Sequence, residues 1–197
     1  MAFGYPKPMT TLEWLAAALI LANIVLVARR SVWNFPFAIV GVALYAFVFW
    51  EQRLFSMAGL QVFFVVINIY GWFSWARQQG DEGEIKVRWL SAGSRFGWIA
   101  GSVFAVAAWG AFMQRAAGGA FPYADAAGAM LSVVAQVLMV WRYAENWWWW
   151  IVVNIISVVL FTASGLYVSA GLYAINWVLA VYGMIVWTRA VREGKPA

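Results

Sequence analysis

Seven long apolar stretches, none with Asp, Glu, Lys or Arg in its central portion, set the limits on what this chain can fold into. A helix needs about 20 predominantly apolar residues to cross a hydrocarbon core of ~30 Å, with shorter spans tolerated in thin membrane. Backbone polar groups at that depth must also be satisfied within the segment. The stretches lie near residues 13–29, 34–51, 56–77, 95–114, 124–142, 146–164 and 166–188, and each is expected to be a transmembrane helix. The first, with Lys7 before it, Arg29 and Arg30 after it and no small-residue cleavage site, reads as a retained anchor and not a signal peptide. The fold class expected is therefore all-α integral membrane.

Composition removes most enzyme chemistry. The 197 residues include no Cys and no His, which excludes thiolate and imidazole metal sites, a cysteine nucleophile and a histidine base. No catalytic residue, metal site or cofactor is expected. The net charge of +5 does not imply nucleic acid, because the basic residues are scattered through short loops beside apolar runs. They act instead as topology signals. With seven alternating crossings, Lys7, Arg53 and Arg115 fall on one side, and Arg29, Arg30, Arg77, Lys86, Arg88, Arg95, Arg142, Arg189, Arg192 and Lys195 on the other. Three against ten places the N-terminus outside and the C-terminus in the cytoplasm of a multi-pass bacterial inner-membrane protein. Residues 1–12 then form a periplasmic tail, 78–94 a cytoplasmic linker containing Asp81, Glu82 and Glu84, and 190–197 a cytoplasmic tail.

The sequence also matches itself at an offset of 112 positions without insertion. Asn34 falls on Asn146, Ile39 and Val40 on Ile151 and Val152, and Phe49 on Phe161. Leu54, Ala58, Gly59 and Leu60 fall on Leu166, Ala170, Gly171 and Leu172, and Tyr70, Gly71, Trp75 and Arg77 on Tyr182, Gly183, Trp187 and Arg189. The unit is three helices, 13–77 and 124–189, separated by one linking helix at 95–114. Both triplets therefore enter the membrane in the same direction, a parallel 3+1+3 architecture like that of the SWEET sugar carriers, where solute binds between the halves near mid-membrane.

Polar groups inside a bilayer tend to face the bundle or a wet cavity. On the third helix Gln61, Asn68, Trp72 and Trp75, spaced by seven, four and three, share one face. Trp147, Trp150, Asn154 and Ser157, spaced by three, four and three, share one face of the sixth. Gln136, with Tyr173 and Asn176 on the seventh helix, could extend the lining. Taken singly, such amides also serve merely to bond neighbouring helices, and Trp148 and Trp149 could equally be interfacial anchors. Together the two stripes suit an aromatic cation: amides offer donors and acceptors to a ring substituent, and indole faces supply stacking and cation attraction.

Three segments carry a family resemblance. Trp33-Asn34-Phe35-Pro36 opens the second helix, Leu60-Gln61-Val62-Phe63-Phe64 with Asn68-Ile69-Tyr70-Gly71-Trp72 lies on the third, and Glu145-Asn146-Trp147 through Trp150 to Asn154 lies on the sixth. In this order they resemble the Pnu family of bacterial vitamin transporters. The resemblance implies a 3+1+3 bundle and facilitated uptake, as a uniport, of nicotinamide riboside, which a cytoplasmic kinase then traps without needing to touch the carrier. It implies substrate-binding roles for Gln61, Asn68, Trp147, Trp150 and Asn154; helical phase adds Trp72 to the candidate site, with Gln136, Ser157, Tyr173 and Asn176 as possible additional lining. Thiamine, riboflavin or another nucleoside is the alternative cargo. The uninterrupted run Trp147 to Trp150 departs from the family, whose members commonly have aliphatic residues between the two motif tryptophans. A homo-oligomer is compatible with this reading, and no nucleic-acid partner is expected.

Other classes fit less well. A retinal Schiff base would need a lysine inside the bundle, and Lys7, Lys86 and Lys195 all lie outside it. A membrane enzyme would need an acid, a base or metal ligands in a cavity. A non-transporting scaffold predicts that the polar stripes serve helix packing alone.

Overall fold

The computed structural model describes residues 10–51, 55–78, 85–116, 121–163 and 165–193. Lys7, Arg53, Leu54, Asp81, Glu82, Glu84 and Lys195 lie outside the described residues. Seven α-helices follow one another: α1 (Thr11–Ala28), α2 (Asn34–Glu51), α3 (Phe55–Ala76), α4 (Ala92–Ala116), α5 (Pro122–Val140), α6 (Asn146–Ala163) and α7 (Tyr167–Glu193). Six are long and apolar enough to cross a membrane, and α2 carries a shorter apolar run, Asn34–Val48. Two ends differ from the sequence expectation by three residues or more: α4 begins at Ala92 instead of 95, and α7 continues to Glu193 past 188. In both cases the helix outlasts its apolar run, because intrahelical hydrogen bonding does not stop where hydrophobicity does.

Helix ends follow from local chemistry. Thr10 and Glu13 form a capping box at the start of α1, the Thr10 side chain accepting from the Glu13 amide while the Glu13 carboxylate accepts from the Thr10 amide. Pro122 opens α5, where its missing N–H would have no helical partner. Past the ends of α1 and α5 the chain turns through a left-handed residue, Arg30 (φ 55°) and Arg142 (φ 65°). Four residues later Asn34 and Asn146 begin the next helix, their amides donating to the Ser31 carbonyl at 2.7 Å and the Tyr143 carbonyl at 2.8 Å. Gly165, at φ +74°, makes the tight link from α6 to α7, a conformation that disfavours side chains.

Packing is serial within two groups. α1, α2 and α3 pack in succession, as do α5, α6 and α7, while α4 lies against α5. The groups meet along two seams, α1 with α7 and α3 with α5. At one end of the bundle two indoles tie these seams. Trp75 Nε1 on α3 donates to the carbonyl of Val140 on α5 at 2.9 Å, and Trp187 Nε1 on α7 donates to the carbonyl of Val27 on α1 at 3.1 Å. Phe35 stands edge-on to Trp75 and Trp147 edge-on to Trp187, with ring centroids 5.1 and 5.7 Å apart. A Cβ added at Gly71 would collide with the Phe35 ring, and one at Gly183 with the Trp147 ring, so each glycine allows an aromatic ring to lie against the helix backbone.

The segment before α4 is more deeply packed than its charge suggested. Ile85 is completely buried in the same cluster as Val27, Phe35, Trp75, Val140 and Trp187. Two backbone hydrogen bonds splice this segment to the α5–α6 loop, Arg88 N–H to the Arg142 carbonyl at 3.0 Å and Ala144 N–H to the Arg88 carbonyl at 2.9 Å.

Candidate functional site

Two of the expected lining residues meet directly. Gln136 of α5 donates its Nε2 to Asn68 Oδ1 of α3 at 3.0 Å, while Asn68 Nδ2 donates to its own helix at the Phe64 carbonyl, 2.7 Å away. Both side chains are buried, and the bond crosses the α3–α5 seam. On α6 the run Trp147, Trp150, Asn154 and Ser157 faces inward: Trp147, Asn154 and Ser157 are buried and Trp150 is half-buried. Trp150 packs against both buried clusters of the bundle.

Several of these groups hold unspent hydrogen-bonding capacity. The Trp147 indole N–H and the Asn176 carbonyl oxygen are buried without partners among the described residues. Asn154, only 4% exposed, makes no side-chain hydrogen bond to another described residue. A buried donor or acceptor left unpaired costs about 1–3 kcal/mol, so the Trp147 N–H and the Asn176 carbonyl are not spent on tying helices together. Gln61 is half-buried, two turns before Asn68 on α3. Tyr173 is half-buried and packs on Phe161, with centroids 5.2 Å apart.

The third-helix stripe divides. Trp75 is fully buried in the seam at the bundle end, whereas Trp72 is 40% exposed and stands apart from it. Helical phase leaves the two indoles on one broad face, and the hydrogen bond to Val140 draws Trp75 inward. The tryptophan run also divides. Trp149 is buried and donates to Ser102 Oγ of α4 at 2.9 Å, and that hydroxyl donates to the Trp98 carbonyl at 2.7 Å. Trp148 lies on the outer side, where it lines an apolar cleft of about 520 Å³ between α4, α5 and α6 with Ile99, Val103 and Leu131. These two indoles therefore anchor α4 and shape an outer cleft.

Sequence reading overlooked the ionic cluster at the bundle end. Glu145 is completely buried; it accepts Arg95 Nε at 2.6 Å and the Leu90 amide at 3.0 and 3.1 Å. The Arg95 guanidinium also lies over the Trp89 and Trp148 rings, 5.4 and 5.7 Å from their centroids. Nearby, Arg88 lies 4.6 Å over the Tyr143 ring. Burial, reinforced by the charge of Arg88, lowers the Arg142 pKa from its usual value, with Tyr143 and Tyr70 opposing the shift. The signal available in sequence was a single Glu inside an otherwise uncharged aromatic segment.

Comparison with known proteins adds an independent line. A sequence profile of the family described as nicotinamide mononucleotide transporter matches residues 10–189. The nicotinamide riboside transporter PnuC of Escherichia coli strain K12 is 32% identical over 92% of this chain and 88% of its own length. The riboflavin/roseoflavin transporter RibM of Streptomyces davaonensis is 28% identical over 86% of this chain and 84% of its own. The crystal structure of the vitamin B3 transporter PnuC superimposes with a TM-score of 0.79 at 27% identity, covering 96% of this chain and 85% of that one.

Proposed function

Because the chain belongs to the nicotinamide mononucleotide transporter family and is a multi-pass membrane transporter of that kind, we propose that its cargo is nicotinamide riboside, admitted by facilitated diffusion. The observation that carries this reading is the inward-facing set of amides at the α3–α5 seam and on α6: the Asn68–Gln136 pair and the unpaired Asn154. A carboxamide offers one acceptor and two donor hydrogens, which an Asn or Gln side chain can complement. The pyridinium ring can lie against the Trp150 indole, attracted as a cation and by stacking. Trp147, whose buried N–H lacks a partner, supplies a further donor. Gln61, Trp72, Ser157, Tyr173 and Asn176 complete the proposed lining.

Uptake needs no coupling ion in this account. Charged residues within the described helices sit toward their ends, such as Glu13 and Asp125 in first turns and Arg115 and Arg192 in last turns, which leaves no charged relay at the centre. An inside-negative potential favours a cation by about 2.3 kcal/mol per 100 mV. Phosphorylation by a cytoplasmic kinase would keep the cargo inside.

The same reading takes 13–77 and 124–189 as parallel three-helix repeats joined by α4, with the N-terminus outside and the C-terminus in the cytoplasm of an inner membrane. Support comes from paired details at the offset of 112: Arg30 and Arg142, Asn34 and Asn146, Trp75 and Trp187, and the Gly71–Phe35 and Gly183–Trp147 contacts. Riboflavin is the second cargo to consider, because RibM is nearly as similar over nearly as much of the chain. Calorimetry with nicotinamide riboside and riboflavin on the purified protein tests the choice. Selective binding of nicotinamide riboside is expected, and selective binding of riboflavin would reverse the assignment.

A further inference from the structure

At the end of the bundle, two turns of α3 beyond Asn68 and one turn of α5 beyond Gln136, the same two helices are joined a second time by Trp75 and Val140. At ~1.5 Å per residue these levels are about 6 to 10 Å apart. The other seam, α1 with α7, has the equivalent closure, Trp187 to Val27. It lacks the amide pair: the positions that match Asn68 and Gln136 at the offset of 112 are Ala180 and Ile24, both apolar and packed in the core. One seam can therefore exchange a protein hydrogen bond for a bond to polar cargo, and the other cannot. Directly among these closures sits Ile85, with no exposed surface.

We propose that Ile85 is the plug of the gate at this end of the α3–α5 seam, and that the Glu145 carboxylate, holding Leu90 N–H and Arg95, is the latch that keeps the plug seated. This rests on the transport reading above, in whose orientation the gate faces the cytoplasm. Cargo that bonds Asn68 or Gln136 loosens the α3–α5 contact, and the strain reaches Trp75 along one rigid helix. The plug can withdraw only when its segment does, because Arg88 and Leu90 fasten that segment to the α5–α6 loop three and five residues later. The apolar α1–α7 seam remains the fixed side.

The absence of native cysteine makes Ile85→Cys a single reporter, with the exposed Lys86→Cys as control. Both variants, reconstituted in vesicles, are labelled with a membrane-impermeant maleimide from the side that carries the 85–91 segment. Expected results are labelling of Ile85→Cys at least about tenfold slower than Lys86→Cys, as for a site that reacts only through local opening, and several-fold acceleration by saturating nicotinamide riboside. Adding Glu145→Gln should accelerate Ile85→Cys labelling several-fold without any vitamin, while leaving Lys86→Cys unchanged. Equal labelling of positions 85 and 86, or no acceleration by a vitamin shown to bind or by Glu145→Gln, overturns the proposal. If neither nicotinamide riboside nor riboflavin binds, the cargo assignment falls, and the Glu145→Gln arm still decides the plug.

Discussion

Asn154 and Asn68 are the same residue type in similar burial, yet the structure gives them different duties. Asn68 is committed to the Phe64 carbonyl and to Gln136, whereas Asn154 has no described partner. Replacing Asn154 with Val should therefore leave thermal stability nearly unchanged, since no hydrogen bond within the described protein is lost, while vitamin affinity falls by at least about tenfold, the equivalent of one hydrogen bond of ~1.4 kcal/mol. Paired thermal melts and calorimetry check this; a large stability loss would mean that Asn154 is a packing residue. Gln136→Leu should behave differently. It strands Asn68 Oδ1 and should lower stability by about 1–3 kcal/mol as well as weakening binding. Arg95→Met should be the most damaging of the three for folding, because it leaves the Glu145 carboxylate buried without its cation, a loss of about 3–5 kcal/mol in comparable sites.

At the scale of elements, the glycines separate packing from mere flexibility. Gly71 and Gly183 each receive an aromatic ring, while nothing lies within 4 Å of a Cβ at Gly59 or Gly171. Alanine at either of the first two should destabilise by about 1–3 kcal/mol through overpacking, and alanine at either of the second two should be close to neutral or mildly stabilising within a helix. Denaturation in detergent of the four single variants checks this, and equal effects at all four would contradict the seam packing. The helices themselves were legible because an apolar run of bilayer length has few alternatives; all seven appear at the expected places within a few residues. The polar stripe of α6 was legible from spacing, since Trp147, Asn154 and Ser157 are all buried. Ile85 and Leu90 were not, because Ile85 stands between two charged residues, Leu90 lies in a short stretch between Arg88 and Arg95, and their burial depends on the α5–α6 loop brought alongside. Trp72 and Trp75 could not be separated by phase alone; a hydrogen bond to a distant helix draws one of them inward.

For the whole molecule, the residues matched at the offset of 112 differ in kind according to where they lie. Closure is built from matched pairs, Trp75 with Trp187 and Gly71 with Gly183. The proposed binding residues are not so matched: Trp150, Asn154 and Ser157 on α6 correspond to Ala38, Val42 and Tyr45 on α2, and Asn68 corresponds to Ala180. A frame of two similar halves would thus hold one asymmetric site, which suits an asymmetric cargo bound in a single orientation. The measurement that bears most directly on this account is uptake of labelled nicotinamide riboside by proteoliposomes with no ion gradient other than the one setting the membrane potential. Saturable uptake whose half-saturation Asn154→Val raises at least about tenfold, equilibrating at zero potential and accumulating up to about fiftyfold at 100 mV inside-negative, is the predicted result for uniport of a monovalent cation. Absence of uptake, or uptake that requires a proton or sodium gradient, would contradict it.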